Sequence, residues 1–464
     1  MSQPELTLLP VHELAAKVAA RTLSPVDVLD AYLGRIEAMN PKLQAFVEVY
    51  ATEARIAAQG AEQAIRSGHA VGPLHGIPIA LKDLIEIEGK TVTGGSEVWR
   101  ERKAQRTATL VRRLISQGMI VLGKTHTVEF AMGGWGTNSR LGTPWNPWDS
   151  QRKRTPGGSS SGSGVAVAAG LAPWAVGTDT GGSVRLPAAW CGITGLKTTI
   201  GRISTYGVLP LSPTLDTPGP MVRSVEDAAL LYMAMQGPDP LDARTEGLPY
   251  IDPMPGMKRG VRGLRLARMP ETEHKYASAE VFEAYTASLA ELERLGAEIV
   301  SIDLPFGFAD VAALNLRIMA AESYAILREL IDDEKTPLDP HVRPRIAAGR
   351  SITAQAYIEA LQKRELMKQM FATAADGIDA LLTPTTMTTA LLLDEVDQSK
   401  APAHYTRLAN FLDLCALSLP NGFGNDGLPT SLQIICHPRD EATALRIGWA
   451  YQDATDWHLR RPPA

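Results

Sequence analysis

Apolar residues recur at helical spacing through the first seventy positions. Leu29, Tyr32, Leu33 and Ile36 form one stripe, and Ser24-Pro25 before them is an N-cap followed by proline at the first helical position. A second helix fits residues 51–67. From Gly72 the texture changes to short apolar runs separated by glycine and by amphipathic stretches. The runs 77–81 and 119–122 read as buried strands, with an amphipathic helix over 107–117 between them. Residues 165–169 are small and apolar, suiting a helix packed tightly on a sheet. Ser224-Val225-Glu226-Asp227 has the form of a capping box and opens a helix to Met235.

Downstream the same alternation continues. Strands are expected at 264–267, 297–302, 378–382, 416–419 and 431–435, and helices at 279–295, 309–331, 354–371 and 441–451. Strands alternating with helices imply a layered α/β/α protein with a large central mixed sheet, mostly buried. The stretch 237–255, rich in proline, glycine and acid, ends the compact core segment. The chain therefore reads as one domain, 1–464. Helices occupy 1–71, a core segment 72–239, an elaboration over the core and its pocket 240–400, and a return to the core sheet 401–464.

Composition narrows the partners. Of 464 residues, 45% are hydrophobic, enough for a large core, and the formal net charge is -5. That balance argues against nucleic acid or an anionic membrane surface as the main partner. The one basic cluster, Arg152-Lys153-Arg154, reads as a solvated loop. Cys191, Cys415 and Cys436 lack CxxC spacing, so they are expected reduced and packed, without a disulfide framework or zinc knuckle. The most apolar run, 165–176, is too short to span a bilayer and contains Pro173. The first nine residues lack the pattern of a signal peptide. A soluble cytoplasmic protein is the expectation.

Two motif matches mislead. Gly118 to Thr125 fits GxxxxGKT letter for letter, but the four intervening residues are strand-like and a helix precedes them, so an ordinary helix-strand turn is the better reading. Gly158-Ser159-Ser160-Ser161-Gly162 fits GxSxG. The residues before it, Gln151-Arg152-Lys153-Arg154-Thr155-Pro156, cannot form the buried strand an α/β-hydrolase elbow needs. An esterase pairing Ser160 with one of His274, His341, His404, His437 or His458 stays open as an alternative. No HExxH or paired-histidine spacing points to a metal.

A different constellation carries more chemistry. Two serine-bearing glycine loops, 157–164 and 180–188, lie close in sequence, and Lys82 ends an apolar run upstream. Ser183 is the candidate nucleophile; a serine hydroxyl needs an adjacent base. The amides of Thr180, Gly181, Gly182 and Ser183 are candidates for an oxyanion hole, each worth ~3 kcal/mol to a transition state. The competing reading is a glycine turn with a capping serine. Burial would lower the pKa of Lys82 and make its amine a general base, unless the side chain snorkels to solvent. Ser159 could pass a proton between the two, or merely solubilise a loop. Asp179 and Arg185 are expected to orient the second loop by hydrogen bonds, and Ser160 to support it.

These residues belong to a longer ordered set. It comprises Gly76-Ile77-Pro78, Lys82-Asp83, Asn146-Pro147-Trp148-Asp149, Gly157-Gly158-Ser159-Ser160, 177–183, Arg185, Pro187-Ala188, Gly195-Leu196-Lys197 and Leu215 to Pro220, and resumes at Pro420-Asn421-Gly422-Phe423 and Gly427-Leu428-Pro429. Over nearly its full length the chain resembles the amidase signature family of serine hydrolases. The resemblance implies Ser183 as nucleophile, Ser159 as relay on a cis peptide, Lys82 as base, an acyl-enzyme intermediate, and neither cofactor nor metal. One departure is Ser161, where many members have glycine. The implied reaction is cleavage of the C–N bond of a small neutral amide or carbamate, releasing ammonia or an amine, by a monomer or homodimer. Family members that serve as the A component of aminoacyl-tRNA amidotransferases usually carry Gly-Ser-Ser-Thr-Glu-Asn where this chain has Gly133-Gly134-Trp135-Gly136-Thr137-Asn138. Such a component of a larger assembly is the rival reading. Met132, Gly133 and Trp135 are the candidate substrate-binding residues. Trp135 points to an apolar or aromatic substrate unless it is a core tryptophan.

Overall fold

The computed structural model describes residues 6–463. Its strands are β1 (Phe46–Val49), β2 (Pro78–Lys82), β3 (Ile120–Thr125), β4 (Ala175–Asp179), β5 (Thr194–Lys197), β6 (Thr217–Val222), β7 (Arg265–Arg268), β8 (Glu298–Ser301), β9 (Ala380–Pro384), β10 (Cys415–Phe423) and β11 (Pro429–Cys436). All eleven join one sheet in the order β1-β3-β2-β4-β6-β5-β10-β11-β9-β7-β8. The sheet is mixed: β2 runs parallel to β3 and β4, and β7 parallel to β8 and β9, while the remaining pairs are antiparallel.

The inner strands are buried on both sides, whereas β1, β7 and β8 toward the edges carry exposed or half-buried residues. In β2, Ile79 and Leu81 join one hydrophobic cluster and Ala80 another, as the two-residue period of a strand requires. The helix Ser161–Ala168, built of Ser, Gly, Val and Ala, lies against β2, β3, β4 and β6. Its small side chains permit that close approach.

Most expected elements occur within a few residues of their predicted bounds. The helix Pro25–Leu43 begins as expected, with Ser24 Oγ accepting from the Val26 amide at 3.0 Å. Ser224 caps Val225–Met235 by accepting from the Asp227 amide at 3.1 Å. The Asp227 carboxylate, however, does not close a capping box. It accepts from the amides of Val11 and His12 instead, tying the N-terminal segment to the core.

Several expectations need correction. Residues 1–71 are not all helical, because β1 sits at the sheet edge. Strands β4, β5 and β6 were not foreseen. In β6, Pro218 and Pro220 argue against a central strand. The pairing of β5 with β6 is confined to Val222 and Met221, and Thr198 Oγ1 donates to the Pro218 carbonyl in place of a ladder bond. The segment 240–400 does not only overlie the core, since it contributes β7, β8 and β9. Arg154 is not a solvated loop residue. It is buried, paired with Asp149 at 2.8 Å and Asp426 at 3.3 Å, and donates to the Ala390 carbonyl. The cysteines are unpaired and buried, as expected. Among the described residues no helix is long and apolar enough to cross a membrane.

Candidate active site

Strands β2 and β4 are parallel neighbours, with Leu81 opposite Val176, so their C-terminal ends, Lys82 and Asp179, emerge on the same edge of the sheet. Ligand sites of open α/β sheets form beyond such ends. Lys82 is fully buried. Its Nζ donates to Ser159 Oγ at 2.7 Å and to Thr178 Oγ1 at 2.8 Å. Burial pushes its pKa down to about 7, against the opposing pull of the Asp179 and Asp216 carboxylates. It is therefore no snorkelling strand-end lysine.

Ser159 follows a cis Gly158–Ser159 peptide bond and is fully buried. Its carbonyl accepts from Thr127 Oγ1 at 2.9 Å. Ser160 stitches the two glycine loops together. Its amide donates to the Ser183 carbonyl at 3.3 Å, and its Oγ bonds the backbone carbonyl and amide of Thr178. Among the described residues no histidine bonds Ser160, which removes the elbow reading; His404, for example, is held by Glu273 at 2.7 Å. The P-loop match fails too. Residues 120–125 are β3, and Lys124 is buried with its ammonium on the Ile85 carbonyl.

The second loop hangs on Asp179. Its Oδ1 accepts from the Gly182 amide at 2.7 Å, from Arg185 Nη2 at 2.9 Å and from Asn410 Nδ2 at 2.9 Å. Its Oδ2 accepts from the Val184 amide at 3.1 Å and Arg185 Nε at 3.0 Å. Burial alone would raise the pKa of this carboxyl, but Arg185 and the other donors outweigh it and hold it well below the usual range. Arg185 also donates to the Thr406 carbonyl and Gln433 Oε1, both at 2.7 Å. One expected oxyanion donor is thereby removed, because Gly182 gives its amide to Asp179. The amides of Thr180, Gly181 and Ser183 have no partner among the described residues. Thr180 is fixed by its side chain, which donates to Asp216 at 2.5 Å.

Ser183 borders a cavity of about 480 Å³ together with Thr180, Gly181, Met132 and Gly133. Leu186, Leu211, Met319 and Ile352 give the wall its apolar character. Trp135 is not part of that wall, and the expectation that it contacts substrate is corrected. Its ring stacks on Trp190 with centroids 5.4 Å apart, and its Nε1 donates to the Lys400 carbonyl at 2.8 Å. Sequence reasoning gave no role to Thr178, Asp216, Thr406, Asn410 and Gln433. The first two stand beside the recognised loops. The last three come from more than 200 positions away, and no local pattern marks them.

The family model described as Amidase matches residues 27–445. The A component of the glutamyl-tRNA(Gln) amidotransferase of Chloroflexus aggregans is 36% identical over 484 residues, covering 99% of both chains. The protein of the same name from Ralstonia nicotianae is 38% identical over 499 residues, covering 99% of this chain and 100% of that one. Among solved structures, the native peptide amidase of Stenotrophomonas maltophilia superposes with a TM-score of 0.87 at 31% identity, covering 98% of each chain. A structure described as a vestigial protein complex bearing on the origins of an s-triazine catabolic enzyme superposes with a TM-score of 0.90 at 30% identity, covering 97% of this chain and 99% of that one. Matched along nearly its whole length in both sequence and backbone, the chain belongs to the amidase family and is an enzyme that hydrolyses amide C–N bonds.

Proposed function

We propose that Ser183 is the nucleophile of this hydrolase, Ser159 its proton relay and Lys82 its general base, acting on a small amide or carbamate. The observation that carries this reading is the buried Lys82 amine, close to neutrality in its pKa and 2.7 Å from Ser159 Oγ, behind the loop that presents Ser183 to the cavity. Neutral Lys82 draws a proton through Ser159 as Ser183 attacks the carbonyl carbon. The oxyanion rests on the unpaired amides of Thr180, Gly181 and Ser183. Ser159 returns the proton to the departing nitrogen, and the C–N bond breaks. Water, deprotonated through the same relay, then releases the acid from Ser183. No step calls for a cofactor. The elaboration 240–400 supplies cavity residues such as Leu316, Met319 and Ile352, which supports its role as the pocket cover.

The three unpaired cysteines suit a reducing compartment, which supports a cytoplasmic location. The enzyme acts in this reading as a monomer or homodimer. The names of the relatives favour a second reading, in which the chain is the A component of an amidotransferase built from several different chains. One experiment separates the two. The isolated chain is assayed for ammonia release from primary amides and labelled with a fluorophosphonate. A stand-alone hydrolase turns over and carries the adduct on Ser183. A chain silent until partner chains are added belongs to the second reading, and an adduct mapped elsewhere defeats the first.

A further inference from the structure

Among the described residues four cations line the cavity beside Ser183, namely Arg317, Arg345, Lys400 and Arg407, and no aspartate or glutamate does. Three of them are accounted for. Arg345 donates to the Met132 carbonyl at 3.0 Å and to Gln398, Lys400 pairs with Asp397 at 3.2 Å, and Arg317 is exposed to solvent. Arg407 is different. It is only 7% exposed, yet among the described residues its guanidinium has neither an ion pair nor a hydrogen bond. Arg185, fully buried, spends its donors on Asp179, Thr406, Gln433 and Asn410. None of its nitrogens is sealed away from the cavity as the Asn315 amide is, so their donors are met by whatever fills that space.

Its position tells what that is. Arg407 Cγ and Nε lie 3.6 and 3.8 Å from the point where a Cβ on Gly181 would stand. The Gly181 amide is one of the free donors around Ser183. The backbone carrying Arg407 is pinned, because Thr406 Oγ1 donates to the Gly181 carbonyl at 2.7 Å and Asn410 Nδ2 to Asp179. Asn315 closes the same corner. It is fully buried, neither of its amide atoms has a partner among the described residues, and its Oδ1 lies 3.5 Å from that same point. A planar guanidinium is matched best by a planar anion that takes two of its donors at once, as a carboxylate does.

Resting on the serine chemistry proposed above, we infer that Arg407 is the anion-recognition residue of this site, and that the substrate is an amide or ureide carrying a carboxylate within a few bonds of the scissile carbonyl. This replaces the neutral substrate expected from the sequence. Burial lowers the Arg407 pKa only to about 10, so it stays cationic at neutral pH. The wall also disfavours an ammonium on the substrate, which would meet cations and no acid. Hydrolysis of a primary monoamide of this kind adds water across the C–N bond and yields a dicarboxylate and ammonia.

The test uses three matched pairs that differ in charge and hardly in shape: oxamate and oxamide, malonamate and malonamide, succinamate and succinamide. Ammonia release gives kcat/KM for each with the unaltered enzyme, Arg407→Met and Arg407→Lys. Calorimetry on Ser183→Ala, with and without Arg407→Met, gives binding without turnover. The unaltered enzyme should favour at least one monoacid over its diamide by about 100-fold, the worth of a charge-assisted bidentate contact. Arg407→Met should bring that ratio close to one, and Arg407→Lys should restore part of it. Equal or preferential use of the diamides, or a ratio indifferent to Arg407→Met, overturns the inference. If the unaltered enzyme releases no ammonia but Ser183→Ala binds the monoacid through Arg407, the anion site stands and the stand-alone hydrolase reading falls. If Ser183→Ala binds both members of every pair alike, the anion site falls whatever the turnover.

Discussion

Asp179 and Arg185 face each other through two parallel hydrogen bonds, Nη2 to Oδ1 at 2.9 Å and Nε to Oδ2 at 3.0 Å, and neither side chain is exposed. The pair sits at the root of the Ser183 loop and fixes it without touching the cavity. Removing one member leaves a buried charge uncompensated, which costs about 3–5 kcal/mol. Arg185→Met and Asp179→Leu should each lower the unfolding free energy by that amount in denaturant titrations. The double variant should be less destabilised than the sum of the two. An additive result would show that the two side chains act independently.

The serine and lysine substitutions should separate the three roles. Ser183→Ala is expected to reduce kcat/KM by ~10⁴-fold or more, because in the proposed mechanism Ser183 carries the acyl intermediate. It should also abolish fluorophosphonate labelling. Ser159→Ala should reduce turnover less, since water can bridge the gap to Lys82. Equal losses for the two serines, with labelling retained in Ser183→Ala, would move the nucleophile to Ser159.

The pH dependence follows from Lys82. As the proposed base it works only when neutral, and burial has brought its pKa down to about 7. The kcat/KM should therefore rise tenfold per unit below pH 7 and level off above it. Stability moves with the same group. Its native pKa is depressed below the ordinary lysine value near 10.4, so between those two values the unfolded chain binds more protons, and this group's contribution to stability rises with pH. Below pH 7 both states are protonated and the burial penalty is present in full. Lys82→Met should consequently be inactive yet more stable than the parent at pH 6, by about 2–4 kcal/mol, with the gap narrowing toward pH 10. A gap independent of pH would mean that Lys82 titrates normally.

Much of this site was legible in the chain because its chemistry is local. Lys82 closes an apolar run, and the two glycine-serine loops lie within thirty positions of each other. The alternation of strands with helices likewise gave the α/β class. What escaped did so for identifiable reasons. Strands β4 to β6 are built of small residues and proline, as in Thr217-Pro218-Gly219-Pro220, so no β-branched periodicity marks them. Trp135 sat in a motif next to Met132 and Gly133, and only tertiary stacking on Trp190 decides its fate. Arg407 follows Thr406 in a stretch with no motif of its own. Its proximity to Gly181 arises from contacts spanning more than 200 residues, which one-dimensional periodicity does not encode.

Two adjacent glycines give the sharpest local test. Gly182 has φ +131°, a conformation that residues with a Cβ rarely adopt, and a Cβ there would collide with Thr406 Oγ1 and stand 2.9 Å from Thr406 Cβ. Gly182→Ala therefore meets both backbone strain and a clash, and the loop that carries Ser183 has to shift. A loss of about 2–3 kcal/mol of stability is expected, together with most of the turnover. Gly181 has ordinary backbone, and its nearest neighbours to a Cβ are Asn315 Oδ1 at 3.5 Å and Arg407 at 3.6 Å, distances of normal contact. Gly181→Ala should fold with an unaltered melting temperature. Its added methyl instead fills the space beside Arg407, so the effect should fall on KM for carboxylate-bearing substrates. Thermal melts of the two variants, read beside their kinetics on succinamate, check both statements. If Gly181→Ala unfolded as readily as Gly182→Ala, the space between Gly181, Asn315 and Arg407 would not be the open corner that anion recognition requires.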